Sequence, residues 1–149
     1  MEPWLLDHGY PALFLLGFLA ATLLPLGSEW LLVALLLKGF DPPTSVVVAT
    51  AGNSLGALTN YAIGLWGGPR LFRRVLRISP AEQARAERWY ARYGSWSLLM
   101  AWLPVVGDPL CLVGGLLRVG WGRFLLLVTL GKLGRYTVVA AVTLGLLAR

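Results

Sequence analysis

Apolar residues fill four long runs of this chain, and two of the four are broken in the same way. Gly9 to Leu37 is interrupted by Pro25, Gly27 and Ser28 just before its one charge, Glu29. Ser95 to Leu117 is interrupted at Pro104, Gly107 and Pro109, and its one charge is Asp108. The other two runs, Thr44 to Trp66 and Phe124 to Ala148, contain no such break. One bilayer crossing takes about 20 helical residues and two take about 40. Gly9 to Leu37, at 29 residues, suits neither. A re-entrant hairpin that enters and leaves on one face fits both the length and the break. Backbone left non-helical at that depth must be covered by protein or line a wet cavity.

The breaks belong to a longer internal correspondence. LLPLGSEWLL, at 23–32, answers WLPVVGDPLC, at 102–111, so Glu29 and Asp108 lie 79 residues apart. At the same offset Thr50-Ala51-Gly52-Asn53 answers Thr129-Leu130-Gly131-Lys132. A repeat with a carboxylate planted in each copy is the signature of a small transporter-like membrane fold.

Each broken run is followed by a clean one. Thr44 to Trp66 places Gly52, Gly56, Asn60 and Gly64 at multiples of four, a stripe for close helix packing with polar groups aimed inward. In Phe124 to Ala148, Lys132, Arg135 and Tyr136 share one helical face. Between the copies, Ser79-Pro80-Ala81-Glu82 reads as a helix start with a capping box, running to about Tyr93 and ending at Gly94. Trp89 and Tyr93 on this basic helix place it in the membrane interface. The expected organisation is one membrane domain: repeat 1 over 9–66, a basic linker with an amphipathic helix over 67–94, and repeat 2 over 95–148.

Composition sharpens this. Hydrophobic residues are 57% of the 149 and charged ones only 13%, about half the share of a soluble domain. The chain reads as an all-α, multi-pass integral membrane protein. Of the net charge of +6, a surplus of five sits between Arg70 and Arg92, where seven arginines face two glutamates. Between apolar spans such a cluster marks a cytoplasmic loop near anionic lipid, and nucleic acid is not an expected partner. No cleavable signal is expected, because the first residues carry acids. The lone cysteine, Cys111, reads as packing. If the broken runs are re-entrant, each copy crosses once, the copies are inverted and both termini lie outside. If each broken run crosses fully, the copies are parallel, the fold is a four-helix bundle and both termini are cytoplasmic. The lengths favour the inverted form.

These residues resemble the DedA family of VTT-domain proteins, most closely its short YqaA-like branch. The resemblance is carried by LLPLGSE, by GNSLGALTNY at Gly52 to Tyr61, by WLPVVGDPLCLVGGLLR at Trp102 to Arg118 and by LGKLGRY at Leu130 to Tyr136. It implies a bacterial inner-membrane protein with two oppositely entering hairpins. It also implies transbilayer movement of lipids, including polyprenyl phosphates, and membrane homeostasis that depends on the proton-motive force. In one respect the chain departs from the family. The broader family carries arginines three residues before and three after the second-hairpin proline, where this chain has Ala101 and Gly107. Arg135 and Lys132 are the cations left to serve there.

For Glu29 and Asp108 the sharp reading is a membrane-embedded pair that exchanges protons or counters a cationic group, and the bland one is a pair of helix caps. For Lys132 and Arg135 a phosphate site stands beside a structural ion-pair lock. Asn53 and Asn60 serve either substrate or open hairpin backbone, and Tyr136 shares their setting. Trp4, Trp66, Trp96 and Trp121 read as interfacial anchors, and Lys38, Arg118 and Arg123 as snorkelling cations. The sole histidine, His8, has no catalytic neighbour in sequence, and no Gly-rich phosphate loop occurs. Neither an enzyme nor a cofactor is expected; a protease dyad would use two aspartates rather than Glu29 with Asp108. The best functional expectation is a lipid or lipid-phosphate translocase coupled to protons, with membrane lipids as partners and a second copy of the chain as a further one. Its rivals are a non-transporting scaffold using the Gly52, Gly56 and Gly64 face, and a proton antiporter for small ions or solutes.

Overall fold

The computed structural model describes residues 3–22, 27–71, 74, 79–103 and 106–149. Among them every regular element is helical and none is a strand. Helix α1 (Pro3–Thr22) is followed by α2 (Glu29–Leu37), α3 (Pro42–Leu71), α4 (Pro80–Tyr93), a 3₁₀ segment (Gly94–Trp102), α5 (Gly107–Leu116) and α6 (Trp121–Leu147). Pro25 and Pro104 lie outside the described residues, but a helical element stops before each and another starts after it.

Local rules account for most boundaries. Ser79 accepts from the Glu82 amide, and the Glu82 carboxylate accepts from the Ser79 amide at 2.8 Å. With Pro80 in the first turn this capping box starts α4, and Gly94 ends it at φ +62°. Helix α3 starts on Asp41, whose carboxylate accepts from the Thr44 amide at 2.9 Å and from the Thr44 hydroxyl. These bonds hold the Asp41 carboxyl below its usual range. Two helices outrun their apolar stretches: α1 begins at Pro3 rather than Gly9, and α3 runs to Leu71 rather than Trp66. Hydrophobicity marks where burial ends, whereas backbone hydrogen bonding continues until a cap or break stops it.

The elements recur at the offset of 79. Adding 79 to the α2 limits gives 108–116, against 107–116 for α5, and adding it to the α3 start gives 121, the start of α6. The packing then crosses over. Helix α5 lies mainly against α3, and α2 against α6, so each short helix packs on the long helix of the other copy. At the first of these contacts the glycines are needed. Gly64 faces the Leu112 carbonyl and Gly115 the Tyr61 carbonyl, each so close that an added Cβ would collide with backbone. The sequence stripe of Gly52, Gly56 and Gly64 is therefore filled within the chain, Gly52 against Phe14 and Gly56 against Phe18.

Two apolar cores result. One joins Leu13, Leu32, Leu35 and Val46 to Tyr136 and Ala140; the other joins Ala57, Tyr61 and Leu110 to Cys111, Phe124 and Val128. Helix α3 gives its first half to the former core and its second half to the latter, and α6 does so in the reverse order. Between them lies a buried polar layer of Thr50, Asn53 and Ser54 with Lys132. Helix α6, 27 residues long and about 40 Å at 1.5 Å per residue, is the described helix long and apolar enough to cross a membrane. Along it Leu126, Leu130, Val138, Val142 and Leu146 are all exposed, an outward apolar stripe that a soluble protein would seldom leave uncovered.

Candidate functional site

Glu29 is the first residue of α2 and Asp108 the second of α5, so both acids stand where a helix resumes after a break. An acid suits that place, because the unpaired amides of the first turn point at it. From the polar layer α3 contributes Asn53 and α6 contributes Lys132, and α6 adds the part-exposed Arg135. These five residues and Ser28 line one cavity of about 50 Å³. It has room for a few water molecules and none for a lipid headgroup in this conformation.

Lys132 is 3% exposed, and an ammonium so placed must be compensated. It donates to Asn53 Oδ1, and Asn53 Nδ2 donates in turn to the Gly17 carbonyl at 3.0 Å. Asn53 thus pins the lysine to the backbone of α1. The two residues also occupy equivalent places, since 53 plus 79 is 132. Arg135 pairs with Glu29 through one terminal nitrogen and donates through the other to the Trp102 carbonyl at 2.9 Å. Trp102 closes the 3₁₀ segment, where carbonyls lack helical partners. One planar guanidinium therefore ties the start of α2 to the end of the 3₁₀ segment, a task suited to its fork of donors. Tyr136 completes the set through a hydrogen bond between its hydroxyl and Ser28, the residue before Glu29.

The acids are not equivalent. Glu29 has its arginine, whereas Asp108 has no ion pair among the described residues although Lys132 and Arg135 line the same cavity. Subtracting 79 from 135 gives Gly56, where a Cβ would sit 2.6 Å from the Phe18 carbonyl. Close packing of α1 on α3 leaves no space there for a second arginine.

Of the residues singled out in the sequence, Glu29, Asp108, Lys132, Arg135, Asn53 and Gly27 line the cavity, and Tyr136 reaches it through Ser28. Asn60 stands apart. It is fully buried and donates to the Ala21 carbonyl at 2.7 Å, while its Oδ1 has no partner among the described residues. Pro109 is buried within α5. Gly107 backs onto the Ala101 carbonyl so closely that a side chain there would collide with backbone, and Ala101 lines the cavity. Arg135 instead arrives at this break from α6. Two participants carried no strong signal: Ser28, a small polar residue beside the acid, and the Trp102 carbonyl, which no side-chain pattern marks. Trp4, Trp66, Trp96 and Trp121 all point outward, and Cys111 is a buried free thiol in the core.

The VTT domain model matches residues 8–144. Inner membrane protein YqaA of Escherichia coli is 48% identical over 133 residues, 89% of each chain. An uncharacterized protein of Haemophilus influenzae is 41% identical over 83% of this chain and 80% of its own length. The uncharacterized membrane protein YbfM of Bacillus subtilis is 24% identical over 84% and 82%. No solved structure matches. A domain model spanning nearly the whole chain, together with near-half identity to YqaA, makes this chain a member of the DedA family of VTT-domain membrane proteins.

Proposed function

We propose that this protein is a multi-pass transporter of the bacterial inner membrane that moves a lipid or lipid-phosphate across the bilayer, with Asp108 and Glu29 exchanging protons and Arg135 and Lys132 attracting the anionic head. The observation that carries this reading is the single cavity on which two acids and two bases from different elements converge. Intramembrane charges are costly and are kept where they bind or relay. Lys132 and the Glu29-paired Arg135 bring positive charge to the cavity, and Asp108 brings a carboxylate with no ion pair among the described residues.

The proposed architecture is an inverted repeat of re-entrant hairpin plus spanning helix, with repeats over 9–66 and 95–148 and the basic segment 67–94 on the cytoplasmic face. Two observations support the inversion. The long helices serve the two cores in opposite order, and the equivalent residues Asn53 and Lys132 touch, as residues beside a two-fold axis do. Rocking of one repeat against the other would then open the cavity to alternate sides. The location agrees with the name of the Escherichia coli relative.

A scaffold role through the glycine stripe loses its surface, since α1 and α5 cover it. A small-ion or solute antiporter keeps one specific support, the small size of the cavity. The test is reconstitution in liposomes with an imposed pH gradient, following labelled polyprenyl phosphate, phospholipid and small solutes together. Movement of one lipid class by the wild type, lost in Glu29→Gln and Asp108→Asn, is the expected result. Solute exchange without lipid movement would replace the translocase with the antiporter.

A further inference from the structure

Arg135 lines two spaces. Its inner side borders the polar cavity, and its outer side borders a groove of about 560 Å³ between the 3₁₀ segment and α6. The groove walls are Leu99, Trp102, Leu130 and Val138, with Gly131 and Gly134 as its floor. Leu130 and Val138 are exposed on the helix long and apolar enough to cross a membrane, and Trp102 is exposed at the end of the 3₁₀ segment facing them. The two glycines do different things. Gly131 lets the Leu99 backbone approach, whereas a Cβ on Gly134 would meet nothing within 4 Å, so the missing side chain there leaves the trough empty.

We infer that this groove is a lateral binding site for one hydrocarbon chain of an anionic lipid, whose phosphate head reaches Arg135 at the inner end. The inference rests on the translocase reading and adds the route by which the lipid arrives. Apolar walls ending at Arg135 complement a molecule that is hydrocarbon along its length and anionic at its tip, the phosphate sharing the guanidinium with Glu29 and the Trp102 carbonyl. The volume falls in the ~300–1,000 Å³ range of small-molecule sites, while the inner cavity cannot take a chain. A second copy of this chain fits less well. Its exposed acids among the described residues are Asp7, Asp41 and Glu87, at element ends or on the basic helix, and none lies on an outward apolar face.

The test uses the full chain in liposomes with a photoreactive group in the acyl chain of an anionic phospholipid and, separately, of phosphatidylcholine. Mass spectrometry then locates the labelled residues. Gly134→Leu fills the trough without a clash, and leucine also suits a helix better than glycine. Gly145→Leu, also on α6 with open space around it, is the control. Labelling by the anionic probe is expected at Leu130, Val138 or Trp102. It should fall to background in Gly134→Leu, persist in Gly145→Leu and drop to the phosphatidylcholine level in Arg135→Gln. Unchanged labelling in Gly134→Leu would overturn the site. So would labelling spread evenly to Leu126 and Leu146. Groove labelling in a protein that moves no lipid keeps the site and removes the translocase reading. Undiminished transport by Gly134→Leu removes the route and keeps the translocase.

Discussion

Helices α2 and α5 occupy equivalent places in the two copies, yet they are held in opposite ways. Seven consecutive residues of α5, Pro109 to Gly115, are buried, and the helix meets α3 backbone to backbone through Gly64 and Gly115. Helix α2 buries Leu32, Leu35 and Leu36, exposes Trp30, and is tied to α6 by Arg135 with Glu29 and by Tyr136 with Ser28. Helix α5 takes one polar tie along its length, from the Tyr90 hydroxyl to the Leu110 carbonyl at 2.9 Å, but Asp108 has no ion pair among the described residues, whereas Glu29 is held by Arg135. The two acids match in sequence and differ in freedom. Glu29 belongs to the lock between α2, α6 and the 3₁₀ segment, and Asp108 does not.

The sharpest way to break this contrast is to force the glycine contact apart. Gly64→Leu meets backbone that has no rotamer to yield, so it should cost at or above the ~1–3 kcal/mol typical of overpacking. The equivalent position on α6 is 64 plus 79, Thr143, whose hydroxyl bonds only within its own helix to Val139. Thr143→Leu should cost less than Gly64→Leu, because Thr143 already carries a Cβ and Gly64 cannot. Denaturation in detergent, followed by tryptophan emission, compares the two. Equal losses would mean that the halves are packed alike.

A smaller effect comes from the polar lock. Arg135 and Glu29 are each 23% exposed, between the surface and buried extremes, so Arg135→Gln should cost about 1–3 kcal/mol. Adding Glu29→Gln should recover part of that loss by removing the abandoned charge. A double-mutant cycle on unfolding free energy measures it, and strict additivity would mean that the pair is not coupled.

The smallest difference lies at the starts of the long helices. Helix α3 begins on Asp41, while α6 begins on Gly120, which supplies no side-chain cap. Because the Asp41 carboxyl is held low in the folded protein, its contribution is present above the ordinary aspartate range and fades as pH falls through the lowered value. The Thr44 amide resonance should titrate below the ordinary aspartate range, with no matching transition at Phe124. Titration at the ordinary range would remove the cap as a difference between the helices.

Local chemistry was legible, and partnership was not. The capping box at Ser79 and Glu82, the stop at Gly94 and the common face of Lys132, Arg135 and Tyr136 follow from spacing rules that act within a few residues. The convergence of five polar residues on one cavity followed from the cost of leaving any of them in hydrocarbon alone. Nothing in a periodic pattern says that α5 lies on α3 while α2 lies on α6, because both long helices offer small residues. The pairing of Arg135 with Glu29 rather than Asp108 depends on that crossover, and on Gly56 being too tightly packed to become a second arginine. Asn60 looked like Asn53 in sequence, but one more helical turn or two carried it out of the cavity to the end of α1.

The central claim is that Asp108 is the acid left free for transport, while Glu29 also holds the structure together. Stability and lipid movement should therefore be measured side by side for Asp108→Asn and Glu29→Gln in the same liposome preparation. Asp108→Asn should unfold within about 1 kcal/mol of wild type, since it breaks no ion pair among the described residues, yet move no lipid. Glu29→Gln should lose both stability and movement. An Asp108→Asn protein that moves lipid at the wild-type rate would contradict the account.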